Sequence, residues 1–202
     1  MHGKQAYRPR GVLLEAGNQR DAVVMSQPVL SIAVAAHREF TLPTNLKAAV
    51  AHFRDFRGTL QDLPELRLTE LYSNDRYRVL YSAAVAGVYR VDLYSDIQAR
   101  FNEVDHVLFV TPWRGLAPAA SRASWSSLTG QGEYSSRLAL RSAGAQTQAR
   151  YDVAITASIP KPLALRLLPD AIARSAVESV VQRRVQDITD RFIERSRVRL
   201  CR

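Results

Sequence analysis

The residue with the clearest chemical potential in this sequence is Arg184, near the C-terminus. Around it Val177, Val180, Val181 and Ile188 recur at three- and four-residue steps, which predicts an apolar helix face. Arg184 falls inside that face, where a guanidinium could bind a carboxylate or phosphate through paired hydrogen bonds. In the alternative interpretation the helix face has rotated by this point, and the side chain extends to solvent.

Five tyrosines on predicted strands offer a second kind of ligand contact, because a phenol carries a hydroxyl on an otherwise apolar side chain. They are Tyr77, Tyr81, Tyr89, Tyr134 and Tyr151. Each could present its hydroxyl to a ligand, or it could be an ordinary half-buried strand aromatic. Together with Arg184 and the four aliphatic residues around it, these tyrosines are the predicted lining of a cavity.

Two tryptophans bracket a loop rich in Pro, Ala and Ser. The sequence places Trp113, Arg114, Leu116 and Trp125 in it. One hypothesis puts these four residues at the mouth of a cavity, where tryptophan and leucine would enter a membrane interface while arginine meets anionic headgroups. The alternative is a loop folded back on the core by its tryptophans.

The usual motifs of catalysis and cofactor binding are absent from the sequence. His2, His37, His52 and His106 lie far apart, without the spacing of metal ligands, so we predict no metal site. No glycine-rich phosphate loop and no Gly-x-Ser-x-Gly motif occurs, so we predict no cofactor and name no catalytic residue. A site assembled from distant strands leaves no such motif, so a cavity enzyme stays open as an alternative.

Composition narrows the class of protein. The chain has 202 residues, 47% of them hydrophobic, and a formal net charge of +9, which is compatible with one well-buried domain. The basic residues are scattered singly, so nucleic acid is an unlikely partner, whereas peripheral contact with an anionic membrane surface fits the charge. A single cysteine, Cys201, and the absence of a long apolar stretch favour a cytoplasmic protein, with that peripheral contact as its link to a membrane.

The predicted elements follow the order strand, short helices, antiparallel meander, two longer strands and long helix. The strands are predicted at Val29–Phe40, Glu65–Ser73, Arg76–Ser82, Val88–Tyr94, Ile97–Asn102, Val104–Val110, Gly132–Arg141 and Gln146–Ile159, a helix at Leu46–Phe56, a helical turn or loop at Gly58–Leu66, and the long helix from about Pro169. A helix of roughly thirty residues would be about 45 Å long. We therefore expect it to lie across a broad curved sheet and to enclose a cavity.

The first residues show no sustained periodicity of either kind. We expect residues 1–27 to form a disordered leader, and residues 28–202 to form a single domain. A clean pattern starts only after Met25, so a further hypothesis is that Met25 is the native start and that residues 1–24 are a gene-model extension.

Several segments carry a resemblance to a known fold family. They are Arg76-Tyr77-Arg78-Val79, Thr111-Pro112-Trp113, Gly132-Glu133, Ala157-Ser158-Ile159-Pro160-Lys161-Pro162-Leu163 and Leu167-Leu168-Pro169. With the element order, these segments make residues 29 to 192 resemble the helix-grip fold of the START-like and Bet v 1-like (SRPBCC) superfamily. More narrowly, they resemble the DUF1997 family of cyanobacteria and plastids, whose function is uncharacterised. The resemblance implies a hydrophobic cavity between sheet and helix, and it implies no catalytic residue.

The sequence therefore favours a carrier or chaperone that binds a lipophilic small molecule, such as a lipid, isoprenoid or pigment. A cavity enzyme of cyclase or hydratase type, with a tyrosine, arginine or aspartate in the pocket, is one alternative. A non-enzymatic assembly factor at a membrane surface, its cavity filled by its own side chains, is the other.

Overall fold

The computed structural model describes residues 29–61, 63, 65–85, 89–114, 117, 121–161, 165 and 167–201. The helices and strands of this part of the chain are, in order, β1 (Val29–Leu42), α1 (Leu46–Arg54), α2 (Phe56–Leu60), β2 (Leu66–Ser73), β3 (Arg76–Val85), β4 (Tyr89–Asn102), β5 (Val107–Pro112), β6 (Arg122–Ala123), β7 (Ser127–Ala143), β8 (Gln146–Pro160) and α3 (Asp170–Leu200). The predicted leader at residues 1–27 lies outside the described residues.

The strands form one sheet in the order β1-β8-β7-β5-β4-β3-β2, with the two-residue β6 paired to β7. Neighbours along this path are antiparallel. Because β5 is short, β4 and β7 meet directly beyond its end, and Arg90–Tyr94 runs parallel to Ser127–Gln131. The curved, predominantly antiparallel sheet and the long C-terminal helix confirm the predicted helix-grip fold.

Helix α3 contains 31 residues and is therefore about 46 Å long. It packs mainly on β1, which is one edge of the sheet. Its side chains satisfy carbonyls that this edge strand would otherwise leave open: the Gln182 amide donates to Ala35 O at 2.7 Å, and Arg197 Nε donates to Thr41 O at 3.1 Å. An ion pair of 2.7 Å between Arg38 and Asp190 adds a third link.

The core lies between the sheet and the helices. The larger cluster of buried side chains includes Phe53 from α1, Tyr151 from β8 and Phe192 from α3, and the Phe192 ring contacts both of the other rings. A smaller cluster surrounds Ala173 near the start of α3. The helices therefore cover the sheet at both places, and the space between the two clusters lies under the middle of α3.

Several element boundaries differ from the sequence-based expectations, and three of the differences have a clear physical reason. The predicted break between two strands at Tyr94–Ile97 is absent, because Asp96 forms a cross-strand ion pair with Arg78 and keeps β4 continuous. Strand β7 begins five residues earlier than predicted, at Ser127, because its first part pairs with β4. The predicted helix Leu46–Phe56 ends at Arg54, since the Asp55 carboxylate accepts a hydrogen bond from Gly58 N and starts α2.

Among the described residues, no helix is both long and apolar enough to cross a membrane. The same part of the chain contains no group of three or more His, Cys, Asp or Glu side chains that could hold a metal ion.

Candidate functional site

A cavity of about 480 Å³ lies between the concave face of the sheet and the middle of α3. Small-molecule sites in proteins typically have volumes of about 300–1,000 Å³, so this cavity is large enough for a ligand. Its walls are mostly aliphatic and aromatic side chains: Val79, Val91, Leu93, Ile97, Leu108, Val110, Leu138, Val153 and Ile155 from the sheet, and Val180, Val181, Val185, Ile188 and Phe192 from α3.

The pleat of the sheet explains why these residues meet. In β4 the odd-numbered residues from Val91 to Ile97 face the cavity, and the intervening even-numbered residues face outward. Phe56, Leu60 and Leu63 close one end of the cavity from α2 and the segment after it. Gly132 allows β8 to approach β7 closely in the wall, because a Cβ there would lie only 3.1 Å from Thr156 O and 3.3 Å from Ala157 Cβ.

The cavity opens beside the middle of α3, where its lining includes the exposed residues Val180, Arg183 and Asp187. Arg184 also lines the cavity here and is only partly exposed. Its Nη2 donates to Ala84 O on β3 at 3.2 Å, so the guanidinium reaches across the opening from the helix to the sheet. Among the described residues, no carboxylate forms an ion pair with Arg184.

Other charges surround the opening on the β2 side. Arg191 of α3 forms an ion pair of 2.5 Å with Glu65, the residue before β2. Tyr81, which lines the cavity nearby, has a raised pKa, chiefly because burial disfavours the phenolate; Arg184 and Arg191 oppose that rise. The rim is therefore polar and charged, whereas the wall behind it is apolar.

A pair of tyrosines provides the main polar group within the cavity. The hydroxyls of Tyr134 on β7 and Tyr151 on β8 are hydrogen-bonded at 2.8 Å, and both side chains line the cavity with Ser136. Burial raises the pKa of both phenols, well above the usual value for Tyr151, while Ser136 lowers both values in part. Both phenols are consequently neutral at physiological pH and can donate hydrogen bonds.

The structure brings most of the predicted cavity residues together. Tyr81, Tyr134, Tyr151, Val180, Val181, Arg184 and Ile188 all line the same space. The position of Arg184 fits the interpretation that it lies within the apolar helix face, and not the alternative in which the helix has rotated it away from the cavity. The residues' role in binding a ligand remains a prediction.

Two predicted cavity residues lie elsewhere, and the side chain of a third, Tyr89, is outside the described part of the chain. Tyr77 shares the inward face of β3, but Phe56 packs on its ring at 5.4 Å and its hydroxyl donates to Asn74 O at 2.5 Å. Helix α2 therefore separates Tyr77 from the cavity. Val177 packs against the smaller core cluster and does not line the cavity, because it lies one turn closer to the start of α3 than Val181.

Two residues of the tryptophan loop, Trp113 and Arg114, do not lie at the cavity mouth. The Trp113 ring packs on Tyr72 at 5.2 Å and on the Arg76 guanidinium at 5.0 Å, and Arg114 forms an ion pair of 2.6 Å with Glu133. These partners project from the outer face of the sheet, so the prediction of a mouth position was wrong for both residues. Trp125 is 80% exposed, and Leu116 lies outside the described residues.

Sequence reasoning missed Ser136 and the lining residues of α2. A signal existed for Ser136, because the predicted strand alternation places it on the same face as Tyr134 and Leu138. The contribution of Leu60 and Leu63 depends on how α2 packs across the end of the sheet, which the local pattern does not encode.

Comparisons with known proteins identify the fold of this chain and do not identify its function. No protein-family model matches the chain, and no curated protein matches it. Among solved structures, a conserved protein from Geobacillus kaustophilus is 12% identical with a TM-score of 0.55, covering 83% of this chain and 95% of that one. The likeness at such an identity concerns the fold alone.

Two further solved structures are similar at lower TM-scores. A START superfamily protein from Mycobacterium smegmatis is 10% identical, with a TM-score of 0.49 over 82% of this chain and 96% of that one. The Zhui aromatase/cyclase from Streptomyces sp. R1128 is 13% identical, with a TM-score of 0.47 over 82% of this chain and 94% of that one.

Proposed function

We propose that this protein binds a lipophilic small molecule with an anionic group in the cavity under α3 and serves as its carrier or chaperone. The observation that carries the proposal is an apolar cavity of about 480 Å³ whose opening is spanned by Arg184. Removing an apolar ligand from water contributes about 25 cal/mol per Å² of buried surface, so such a wall favours a hydrophobic cargo.

Arg184 supplies the anion-binding part of the proposal. Its described hydrogen bond goes to a neutral carbonyl, Ala84 O, at 3.2 Å, so the guanidinium keeps donors for a carboxylate or phosphate. Arg183 lies beside it on the rim. A ligand would therefore place its apolar part inside and its anionic group at the opening.

Native mass spectrometry of protein purified from its own organism tests the proposal, followed by solvent extraction of whatever co-purifies. We expect a stoichiometric lipid, isoprenoid or pigment that is depleted in Arg184→Ala and in the cavity-filling Val181→Phe. The matched control is Arg141→Ala, which removes the same charge from an exposed position on β7 and should retain the ligand. An empty cavity in folded wild-type protein, with no uptake of added fatty acids, would refute the carrier proposal.

The second candidate is a cavity enzyme of cyclase or hydratase type, and the Tyr134–Tyr151 pair is the observation that favours it. Neutral phenols could stabilise a carbonyl oxygen that gains negative charge during a reaction. The described lining supplies one carboxylate, Asp187 at the opening, and no histidine to act as a base near the phenols. A released ligand identical to the one taken up favours the carrier, whereas a chemically altered one favours the enzyme.

The third hypothesis is an assembly factor whose cavity is filled by its own side chains. A volume of about 480 Å³ disfavours it, because the space is not filled. Co-purification of a protein partner with an empty cavity would revive it.

We also propose that the protein meets anionic membranes through an exposed apolar end. At the end of the molecule where β1 and β7 begin and β8 gives way to α3, the exposed apolar side chains are Val29, Trp125, Leu167, Leu168 and Ile172. Exposed Arg122 and Arg174 lie on elements at the same end and supply positive charge for lipid headgroups. Exposed tryptophan and leucine can enter the interface between headgroups and acyl chains.

Sedimentation with phosphatidylcholine vesicles, with and without phosphatidylglycerol, tests this contact. We expect binding only to the anionic vesicles, and about a tenfold loss or more in the double variant Trp125→Ala with Leu167→Ser. Val104→Ser removes an equally exposed apolar side chain from the β4–β5 turn at the opposite end, and it should leave binding unchanged. Equal losses in the two variants would contradict the proposed surface.

Several narrower expectations are part of the same proposal. A cytoplasmic location rests on the single cysteine and on the lack of a long apolar stretch in the sequence, and the placement within the DUF1997 family rests on the resembling segments alone. The single domain from residue 28 and the leader before it rest on the hydrophobic periodicity of the sequence. A steep salt dependence of DNA or RNA association would overturn the expectation that nucleic acid is not a partner.

A further inference from the structure

The three hydroxyls in the cavity wall form a compact group, and their position follows from the strand register. Tyr134 lies opposite Ile155, and Tyr151 lies opposite Leu138, on neighbouring strands. The pair between them is Ser136 and Val153. The two phenols therefore lean toward each other across the Ser136 row until their oxygens are 2.8 Å apart.

This group has hydrogen-bonding capacity that the phenol pair does not use. Each hydroxyl has one donor and can accept two hydrogen bonds. The Tyr134–Tyr151 bond uses one of the three protons and a bond from Ser136 to the phenols uses a second, so one phenol proton is left for a ligand. All three side chains line the cavity. Hydroxyls in an otherwise apolar wall are costly unless they gain partners, so the group favours a ligand atom that can bond to it.

The electrostatics of the cavity define which ligand atom suits the group. The described charged residues of the lining, Arg183, Arg184 and Asp187, all belong to α3 at the opening. Burial keeps both phenols protonated, as their raised pKa values indicate. An ionised ligand group beside the phenols would lose its hydration without gaining a counter-charge. An uncharged oxygen would gain hydrogen bonds there without that cost.

We propose that Tyr134, Tyr151 and Ser136 form a second polar subsite, which binds an uncharged oxygen of the cargo, a hydroxyl or a carbonyl, while the anionic group lies at Arg184. This assignment rests on the proposed function and narrows its ligand class. The cargo is an amphiphile with an apolar body, a charged group at one end and a neutral oxygen function at the other. A simple saturated fatty acid would leave the inner subsite unpaired.

Calorimetric titration with lauric acid and ω-hydroxylauric acid tests the assignment, because the two probes differ by one oxygen at the end remote from the carboxylate. We expect the folded wild-type protein to bind the hydroxy acid at least as tightly as lauric acid, although the hydroxyl favours water. In Tyr151→Phe and in Ser136→Ala the dissociation constant of the hydroxy acid should rise about tenfold, the effect of one net hydrogen bond, while that of lauric acid stays the same or falls.

Tyr81→Phe is the matched control, since Tyr81 lines the cavity near Arg184 and is not part of the hydroxyl group. It should leave the ratio of the two dissociation constants unchanged. If both acids bind but their ratio is the same in wild type, Tyr151→Phe and Ser136→Ala, the subsite assignment is wrong and the carrier proposal stands. If neither acid binds to folded wild-type protein, the anion-binding cavity itself is refuted, and the subsite with it.

Discussion

The two faces of the sheet differ in their polar interactions, although the same strands contribute to both: the outer face carries ion pairs, and the inner face forms the wall of the cavity. On the outer face of β3 and β4, Arg78 donates two hydrogen bonds to Asp96, at 2.7 and 2.8 Å, beneath the loop that carries Trp113. On the inner face the alternate residues form an apolar cavity, and Arg184 at its opening bonds to a neutral carbonyl. An arginine that already holds a carboxylate stabilises the fold, whereas one that does not is available to a ligand.

This comparison also separates the roles of individual arginines. Three arginines on the outer face form ion pairs: Arg78 with Asp96, Arg90 with Asp92, and Arg114 with Glu133. Such pairs hold loops and strands in place and need no anionic macromolecule to account for them. Each pair is neutral, so the formal net charge of +9 arises from basic residues outside such pairs, and the position of an arginine says more about its role than the net charge does.

Among the variants considered, Asp96→Ala on the outer face should destabilise the protein most. The Asp96 side chain is 4% exposed and that of Arg78 is 14% exposed, so the substitution leaves a nearly buried guanidinium with only the exposed Glu70 carboxylate, 3.7 Å away, as its counter-charge. We expect the free energy of unfolding to fall by about 3–5 kcal/mol, measured by urea denaturation. Asp92→Ala on the same strand breaks a pair with the exposed Arg90 and should cost about 1 kcal/mol or less. Equal losses would show that burial does not distinguish the two pairs.

The second prediction concerns Tyr151 on the inner face and the way stability changes with pH. Burial raises the pKa of Tyr151 well above its ordinary value of 10.0, so the folded protein binds this proton more tightly than the unfolded chain. The stabilising contribution is complete below the unfolded pKa and is lost as pH rises toward the folded one. We expect a loss of about 1.4 kcal/mol per pH unit from this residue above about pH 10, absent in Tyr151→Phe. Parallel alkaline unfolding curves for the two proteins would contradict this.

The third prediction compares the two tryptophans, whose substitution by alanine should change stability by different amounts. Trp113 packs on Tyr72 and Arg76, so Trp113→Ala should lower the free energy of unfolding by about 1–2 kcal/mol and leave binding of lauric acid unchanged. Trp125 is 80% exposed, and Trp125→Ala should change stability by less than about 0.5 kcal/mol. Weaker fatty-acid binding in Trp113→Ala would show instead that Trp113 contributes to the cavity mouth.

How far the sequence predicted the molecule depends on the range of the interactions involved. Alternation within strands and the three- and four-residue steps of α3 are local patterns, and they correctly predicted the antiparallel sheet and the long helix. The same patterns suggested cavity positions for Tyr81, Tyr134 and Arg184, which line the space under α3, while their role in binding stays a prediction. Trp113 was misplaced because its position depends on Arg76 and Tyr72, distant side chains that attract the loop to the outer face. Tyr77 was misplaced because Phe56 of α2 covers it.

Arg184→Leu should change stability as little as Trp125→Ala, and it tests the difference between the two faces of the sheet most directly. Arg184 lies at the opening with a 3.2 Å hydrogen bond to Ala84 O, so we expect the free energy of unfolding to change by less than about 0.5 kcal/mol. Arg78→Leu, the matched change on the outer face, leaves Asp96 buried and unpaired and should cost several kcal/mol, on the order of 3. Fatty-acid binding should respond in the opposite order, falling about tenfold or more in Arg184→Leu, because a charge-assisted bond to the carboxylate is lost, and remaining unchanged in folded Arg78→Leu. If Arg184→Leu instead destabilised the protein and left binding intact, Arg184 would be a structural residue like Arg78, and the difference between the two faces would no longer identify a ligand site.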